Sequence, residues 1–232
     1  MVRAVKNREE LEKLYKGRPV VSIREEEYFF WIELKNGKGT YLEKVLKVLS
    51  LETIQKILLG LGFPPRVVKK LQETKKTDLT EFCLKTLHAG GVILTGPAGT
   101  GKTHAIIYAI AQLLRKYRVK NPLYISCPDM QDFKALREAY READMIILDD
   151  VSKFLRDFHL DFVREVIYHA YNEEKRLAII SNLDIKDLFG LLAEEPIISR
   201  LREVCVLRRV EGADLRLKPK SHKGTVKSLH DT

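Results

Sequence analysis

Two hydrophobic rhythms run along the chain, and the switch between them divides it. In residues 1–16, "REELEKLYK" sets Leu and Tyr at helical spacing among charges, which predicts a first helix. "RPVVSI" and "YFFWIEL" follow with strand character, and "NGKG" reads as the turn after the second. From Tyr41 to about Gly60, "YLEKVLKVLSLETIQKILLGLG" returns apolar residues in steps of three and four and predicts one long helix, ended by "FPP" at 63–65. "RVVKKLQE" and "LTEFCLKTL" predict two further short helices.

From Gly90 the rhythm changes. Short apolar runs ("GVILT", "LYISC", "MIILDD", "LAIIS") alternate with longer amphipathic ones: "THAIIYAIAQLLRKY", "DMQDFKALREAY" and a helix from about Asp157 to Glu174. The short helix "PIISRLRE" and a last strand "VCVLRRV" close the series. That alternation predicts an α/β fold, a parallel sheet with helices on both faces. The expected organisation is a small N-terminal α+β, partly helical, partner-binding region over 1–62 and a helical connector over 63–89. A core over 90–217 and a basic, flexible tail over 218–232 complete it.

Composition changes the picture in three places. The 232 residues carry a formal net charge of +9, distributed as +6 over residues 1–91, −1 over 92–207 and +4 over 208–232. Basic flanks on a near-neutral middle suit a polyanion partner, and equally describe a solvated lysine-rich surface. No apolar run reaches membrane-span length, and "MVRAVKNREE" is too polar for a signal peptide, so a cytoplasmic protein with no membrane partner is expected. Cys83, Cys127 and Cys205 are scattered and odd in number, which argues for buried small side chains rather than a zinc site or disulfide framework.

The candidate chemistry sits at the strand ends. Directly after "GVILT" comes "GPAGTGKT", a G-x-x-x-x-G-K-T motif between a strand and a helix, the context it needs to bind phosphate. Gly96, Gly99 and Gly101 let successive N–H groups face phosphate oxygens, and the next helix turns its positive end toward them. Gly96, Pro97, Ala98, Gly99, Thr100, Gly101, Lys102, Thr103 and the adjoining His104 are the candidate ATP-binding residues, with Lys102 the charge for the β- and γ-phosphates. Thr103 and Asp149 are the candidate Mg²⁺ ligands, and Asp150 the residue that orients or deprotonates water. This explains why an apolar strand ends in two acids: each faces a cation or a wet cleft. Asn182 ends the next strand, where it either holds the lytic water or, with Asp184, caps a helix. Arg200 and Arg216 are lone arginines, surface charges by default, that can also contact phosphates.

In this order and spacing, "GPAGTGKT", "IILDD", "IISN" and "ISRL" resemble the AAA+ ATPases. The Asp-Asp pair, "DFVREVIYHAYNEEKRLAIISN", "LGFPPR" and "GADLR" are similar to the DnaC/IstB-like helicase loaders within that group, over roughly Gly60 to Lys218. The resemblance implies an ATPase that binds single-stranded DNA and contacts a hexameric replicative helicase through its N-terminal region. It also implies that Asn182 is sensor 1, Arg200 an arginine finger acting on a neighbouring subunit and Arg216 sensor 2, with self-assembly dependent on ATP or DNA. The chain has no zinc-ligand set such as some loaders carry, and its segment from Ser126 to Met145 is short for the family.

Single-stranded DNA calls for cations beside aromatic rings. Candidates are Lys116, Arg118 and Lys120, the loop "SKFLR" with Lys153 and Arg156, and the tail. "YFFWIEL" reads either as a stacking platform or as a small N-terminal core. Three other functions remain open from sequence: an IstB-like transposase helper, a P-loop small-molecule or nucleotide kinase, and a non-hydrolysing ATP switch.

Overall fold

The structure, a computed structural model, describes residues 4–192 and 195–215. Arg216 and the tail over 218–232 lie outside the described residues.

The N-terminal part is a four-stranded sheet with one helix. Its elements are β1 (Ala4–Val5), α1 (Arg8–Leu14), β2 (Val20–Glu25), β3 (Phe29–Asn36) and β4 (Gly39–Lys47), in the order β1-β4-β3-β2. Asn7 caps α1 by accepting from the Glu10 N–H at 2.9 Å. Strand alternation resolves the two readings of "YFFWIEL". Phe30, Ile32 and Leu34 are buried in a core shared with Val5, Leu11, Tyr15 and Val45, while the alternate residues Phe29 and Trp31 are only half-buried. Lys44 Nζ stands 4.0 Å from the Phe29 ring centre.

The long helix expected from Tyr41 to Gly60 does not form. Tyr41 to Lys47 belongs to β4, paired with β3 from Phe29↔Leu46 to Asn36↔Gly39, and the helix starts only at Leu51 as α2 (Leu51–Gly60). The apolar steps of "YLEKVLKVL" fit either period. The turn at Asn36–Gly39 decides, because it returns the chain along β3, where the backbone groups of β3 need partners. Ser50 then marks the true helix start, its hydroxyl accepting from the Thr53 N–H at 3.0 Å. Residues 1–16 likewise hold a short strand before their helix.

α3 (Pro65–Val68), a 3-10 turn (Leu71–Glu73) and α4 (Asp78–Ala89) follow. The larger unit then runs β5 (Gly91–Thr95), α5 (Lys102–Arg115), β6 (Pro122–Ser126), a 3-10 turn (Cys127–Asp129), α6 (Phe133–Glu142) and β7 (Met145–Asp149). α7 (Asp157–Asn172), β8 (Arg176–Ile180), α8 (Ile185–Leu192), α9 (Glu195–Val204) and β9 (Cys205–Arg209) complete it. The five strands are all parallel, in the order β6-β7-β8-β5-β9. Alternate residues feed two cores. Val92, Leu94, Ile147 and Ile180 pack with α2, α4 and α5, whereas Ile93, Ile146, Leu148 and Ile179 pack with α7, α8 and α9. This two-sided burial is why the strands read as unbroken apolar runs. Leu49 joins the two units, its N–H donating to Arg115 O and its carbonyl accepting from Arg115 Nε at 2.8 Å.

Cys83, Cys127 and Cys205 are free thiols, and burial pushes Cys83 and Cys205 up to about 12, which leaves them unreactive at neutral pH. No described helix is long and apolar enough to cross a membrane.

Candidate functional site

In a parallel sheet every strand ends at the same edge, and ligands settle where the strand order reverses. β5, β7 and β8 end there with Thr95, Asp149 and Ile180. β8 lies between β7 and β5, so Asn182 just beyond β8 stands between the acids of one neighbour and the glycine loop of the other.

Hydrogen bonds follow that order. Lys102 Nζ donates to Gly96 O and Pro97 O, each at 2.7 Å, and to Asn182 Oδ1 at 3.0 Å. Asn182 Nδ2 donates to Asp150 Oδ1 at 3.0 Å. Thr103 Oγ1 donates to Asp149 Oδ2 at 3.0 Å, and Tyr124 Oη to the same oxygen at 2.5 Å. Two chains thus cross the strand tips: Lys102–Asn182–Asp150 and Thr103–Asp149–Tyr124.

Local conformation explains the placement. α5 begins at Lys102 with its first N–H groups facing the loop, and Gly101 before it has φ +90°. Asp150 has φ +59°, a conformation that costs energy without glycine. It turns the second acid out of line with β7 and toward Asn182. Ser181 is fully buried and its hydroxyl donates to Val151 O at 2.6 Å, which fixes the turn that presents Asn182. Asp184 accepts from the Asp187 N–H at 2.9 Å and so caps α8, leaving the Asn182 amide for the site.

Burial pushes the Asp149 carboxyl above its ordinary range, opposed by the donors Tyr124, Thr103 and the Asp150 N–H. None of those donors is a cation. A buried carboxylate beside a threonine hydroxyl, open toward a phosphate loop, supplies the hard oxygen donors that Mg²⁺ takes, most of its remaining ligands being phosphates and water. Among the described residues no cluster of three or more His, Cys, Asp or Glu side chains offers a protein-only metal cage. Tyr124 is a contact the sequence did not signal, since "LYISC" presents it as one more strand residue. Tyr124→Phe is expected to leave Asp149 one donor short and to cost about 1–2 kcal/mol, read as a lowered urea midpoint at unchanged slope.

The remaining candidates are spread out. His104 Nε2 is 2.7 Å from Thr74 Oγ1, which ties its ring to the segment before α4. Burial first, then Lys70, keeps His104 below its ordinary range and neutral. Arg200 donates to Pro196 O at 3.1 Å and stacks 4.6 Å from the Tyr168 ring centre, on the α7–α9 side rather than in this network. Beyond β9 the chain crosses the phosphate loop. Leu215 N–H donates to Gly99 O at 3.0 Å, and a Cβ on Gly99 would meet the Asp214 carboxyl at 1.8 Å. The loop after β7 carries Phe154, 84% exposed, with Lys153 Nζ 5.6 Å from its ring centre and Arg156 5.9 Å from that of Phe158. It borders a cavity of about 420 Å³.

The same architecture occurs in a known protein. The crystal structure of DnaI superposes with a TM-score of 0.53 at 16% identity, covering 64% of this chain and 95% of that one. The core has the AAA+ P-loop fold. A DnaC helicase loader gives a TM-score of 0.49 at 20% identity, over 61% of this chain and 96% of that one. By sequence the chain is 26% identical over 183 residues to the phage-like element PBSX protein XkdC of Bacillus subtilis, 70% of this chain and 68% of that protein. It is 24% identical over 171 residues to the uncharacterized protein YqaM of the same organism, 66% of this chain and 54% of that protein. No family model matches the chain.

Proposed function

We propose that the chain is an ATP-hydrolysing helicase loader that contacts single-stranded DNA and a replicative helicase. The observation that carries the ATPase part is the pair of hydrogen-bonded chains across the four adjacent strands β6, β7, β8 and β5, Lys102–Asn182–Asp150 and Thr103–Asp149–Tyr124. The AAA+ fold and the DnaC/IstB-like order of motifs support the loader part.

The residues divide the work as follows. Lys102 exchanges three neutral oxygens for charged phosphate oxygens, a stronger class of hydrogen bond. The amides of Gly96 to Thr103 and the N-terminal end of α5 add positive potential. Thr103 and Asp149 would hold Mg²⁺, whose bound charge offsets that developing on the transferred phosphoryl group. Once Lys102 leaves Asn182 Oδ1, that oxygen is free to accept from a water molecule while Nδ2 stays on Asp150. Asp150, turned out of the strand, is placed to orient that water or take its proton. Arg200 acts across a subunit boundary and Arg216 on the nucleotide of its own chain.

The exposed Phe154, flanked by Lys153 and Arg156, follows Asp150 within a few residues and supplies the ring-and-cation pair that single strands favour. Lys153→Glu with Arg156→Glu is expected to weaken single-stranded DNA binding and flatten its salt dependence. Unchanged affinity and slope would remove the loop. The function as a whole is tested by ATP turnover with and without single-stranded DNA, repeated with purified replicative helicase. The expected result is a DNA-dependent rate and a stable complex with the helicase. Phosphate transfer to added nucleotides, with no DNA effect, would place the chain among kinases.

A further inference from the structure

A second charged feature lies away from the nucleotide site. Residues 66–76, "RVVKKLQETKK", hold five cations and one acid, and residues 115–120, "RKYRVK", hold four cations and none. The fold brings these stretches together. They face each other across a groove of about 320 Å³ between the N-terminal sheet, the connector and α5. Lys6, Lys76, Arg115 and Lys116 line it, and among the described residues no carboxylate does.

The groove has fixed donors as well as mobile ones. Arg115 is held by Leu49 O at 2.8 Å and by Gln112 Oε1 at 3.3 Å, so its guanidinium is positioned before any ligand arrives. That bond orients the Gln112 amide, whose oxygen faces Arg115. Tyr108, one turn closer to the phosphate loop, is 8% exposed, and among the described residues no hydrogen-bond partner for its hydroxyl is found. Four like charges in one concavity repel each other and are most relieved by a ligand carrying several negative charges at regular spacing. Surface lysines scattered for solubility would not converge on one recess with a pinned arginine in its wall.

We propose that this groove binds the phosphodiester backbone of single-stranded DNA. A single strand can enter a recess of this size, whereas a duplex presents its phosphates on a wide convex cylinder. The groove is separate from the loop after β7. That loop leaves the edge where the strands end, and Arg115 and Lys116 lie where the chain turns to enter β6 at the opposite edge. Its wall touches the nucleotide site through Thr74, whose hydroxyl meets His104 beside Thr103. The inference rests on the DNA-binding part of the proposed function and not on its ATPase part.

The test is nucleotide-free titration of the full chain against a labelled oligothymidylate of about 20 residues, by fluorescence anisotropy over a range of salt. Lys76→Ala with Lys116→Ala alters two exposed side chains outside all three cores. It is expected to weaken binding about tenfold or more near 0.1 M salt and to lower the slope of log K against log salt by about 1.4, about 0.7 for each lost phosphate contact. Photocrosslinking with bromodeoxyuridine is expected to mark the peptide carrying Tyr108 in the unaltered chain. DNA binding by the wild type with an unchanged slope in the double variant overturns the groove and leaves the loop as the DNA site. No DNA binding by the wild type overturns the groove and the DNA reading together. An unchanged DNA slope with loss of the purified helicase overturns it in favour of an acidic protein partner.

Discussion

Lys102→Ala is expected to lower ATP affinity about 10- to 100-fold and to remove measurable turnover. A hydrogen bond to a charged partner contributes roughly 1.5–3 kcal/mol, which is that range in a dissociation constant. The turnover loss is larger, because charge builds on the phosphoryl oxygens in the transition state. Lys102 is only 4% exposed and already bonded to Gly96 O, Pro97 O and Asn182 Oδ1. Its removal therefore also frees three oxygens, so a change in fold must be separated from a change in chemistry. Lys102→Met keeps most of the volume without the charge. If both variants melt near the wild type, bind ATP weakly in calorimetry and fail to hydrolyse it, the loss belongs to the ammonium group. Hydrolysis at the wild-type rate in either variant would mean that the loop binds something other than a triphosphate.

What the sequence revealed and what it hid have physical causes. The central strands β5, β7 and β8 were legible because they are buried on both faces, so their apolar runs are unbroken. The edge strands β6 and β9 are partly exposed and were legible from their place in the alternation with amphipathic helices. The phosphate loop was legible because glycines at fixed offsets serve no other local purpose between a strand and a helix. β4 was not. Its alternation is blurred by Leu42 and Leu46, which share a face with exposed positions, and its partner β3 lies across a turn that local periodicity does not weigh. Tyr124 was hidden for a related reason. Its strand carries no charged residue, and only the register Ser126↔Asp149 brings β6 alongside the acids. Asn182 was ambiguous between cap and site until Asp184 was seen to take the cap. Arg200 illustrates the limit of motif matching. Its place in "ISRL" suggests a role across a subunit boundary, while within one chain its visible contacts are Pro196, Tyr168 and Tyr171.

Asp150→Asn is expected to separate ATP binding from hydrolysis. Asparagine matches aspartate in size and tolerates the left-handed conformation that φ +59° demands, so the turn after β7 should survive. Its carbonyl oxygen can still accept from Asn182 Nδ2, as Asp150 Oδ1 does at 3.0 Å, which preserves the link to Lys102. The negative charge alone is lost, and with it the capacity to take a proton from water. Removing a general base costs typically 10²- to 10⁴-fold, so the rate constant in single turnover should fall by about that much while ATP affinity in the presence of Mg²⁺ stays within about threefold. Asp150→Ala serves as the contrast, because it adds backbone strain and unpairs Asn182; its melting temperature should drop where that of Asp150→Asn does not. A variant Asp150→Asn that hydrolyses ATP within about threefold of the wild type would move the water-activating role elsewhere. One that stops binding ATP would instead make Asp150 a brace for Asn182 and Lys102, with the strained turn serving the phosphate loop rather than the lytic water.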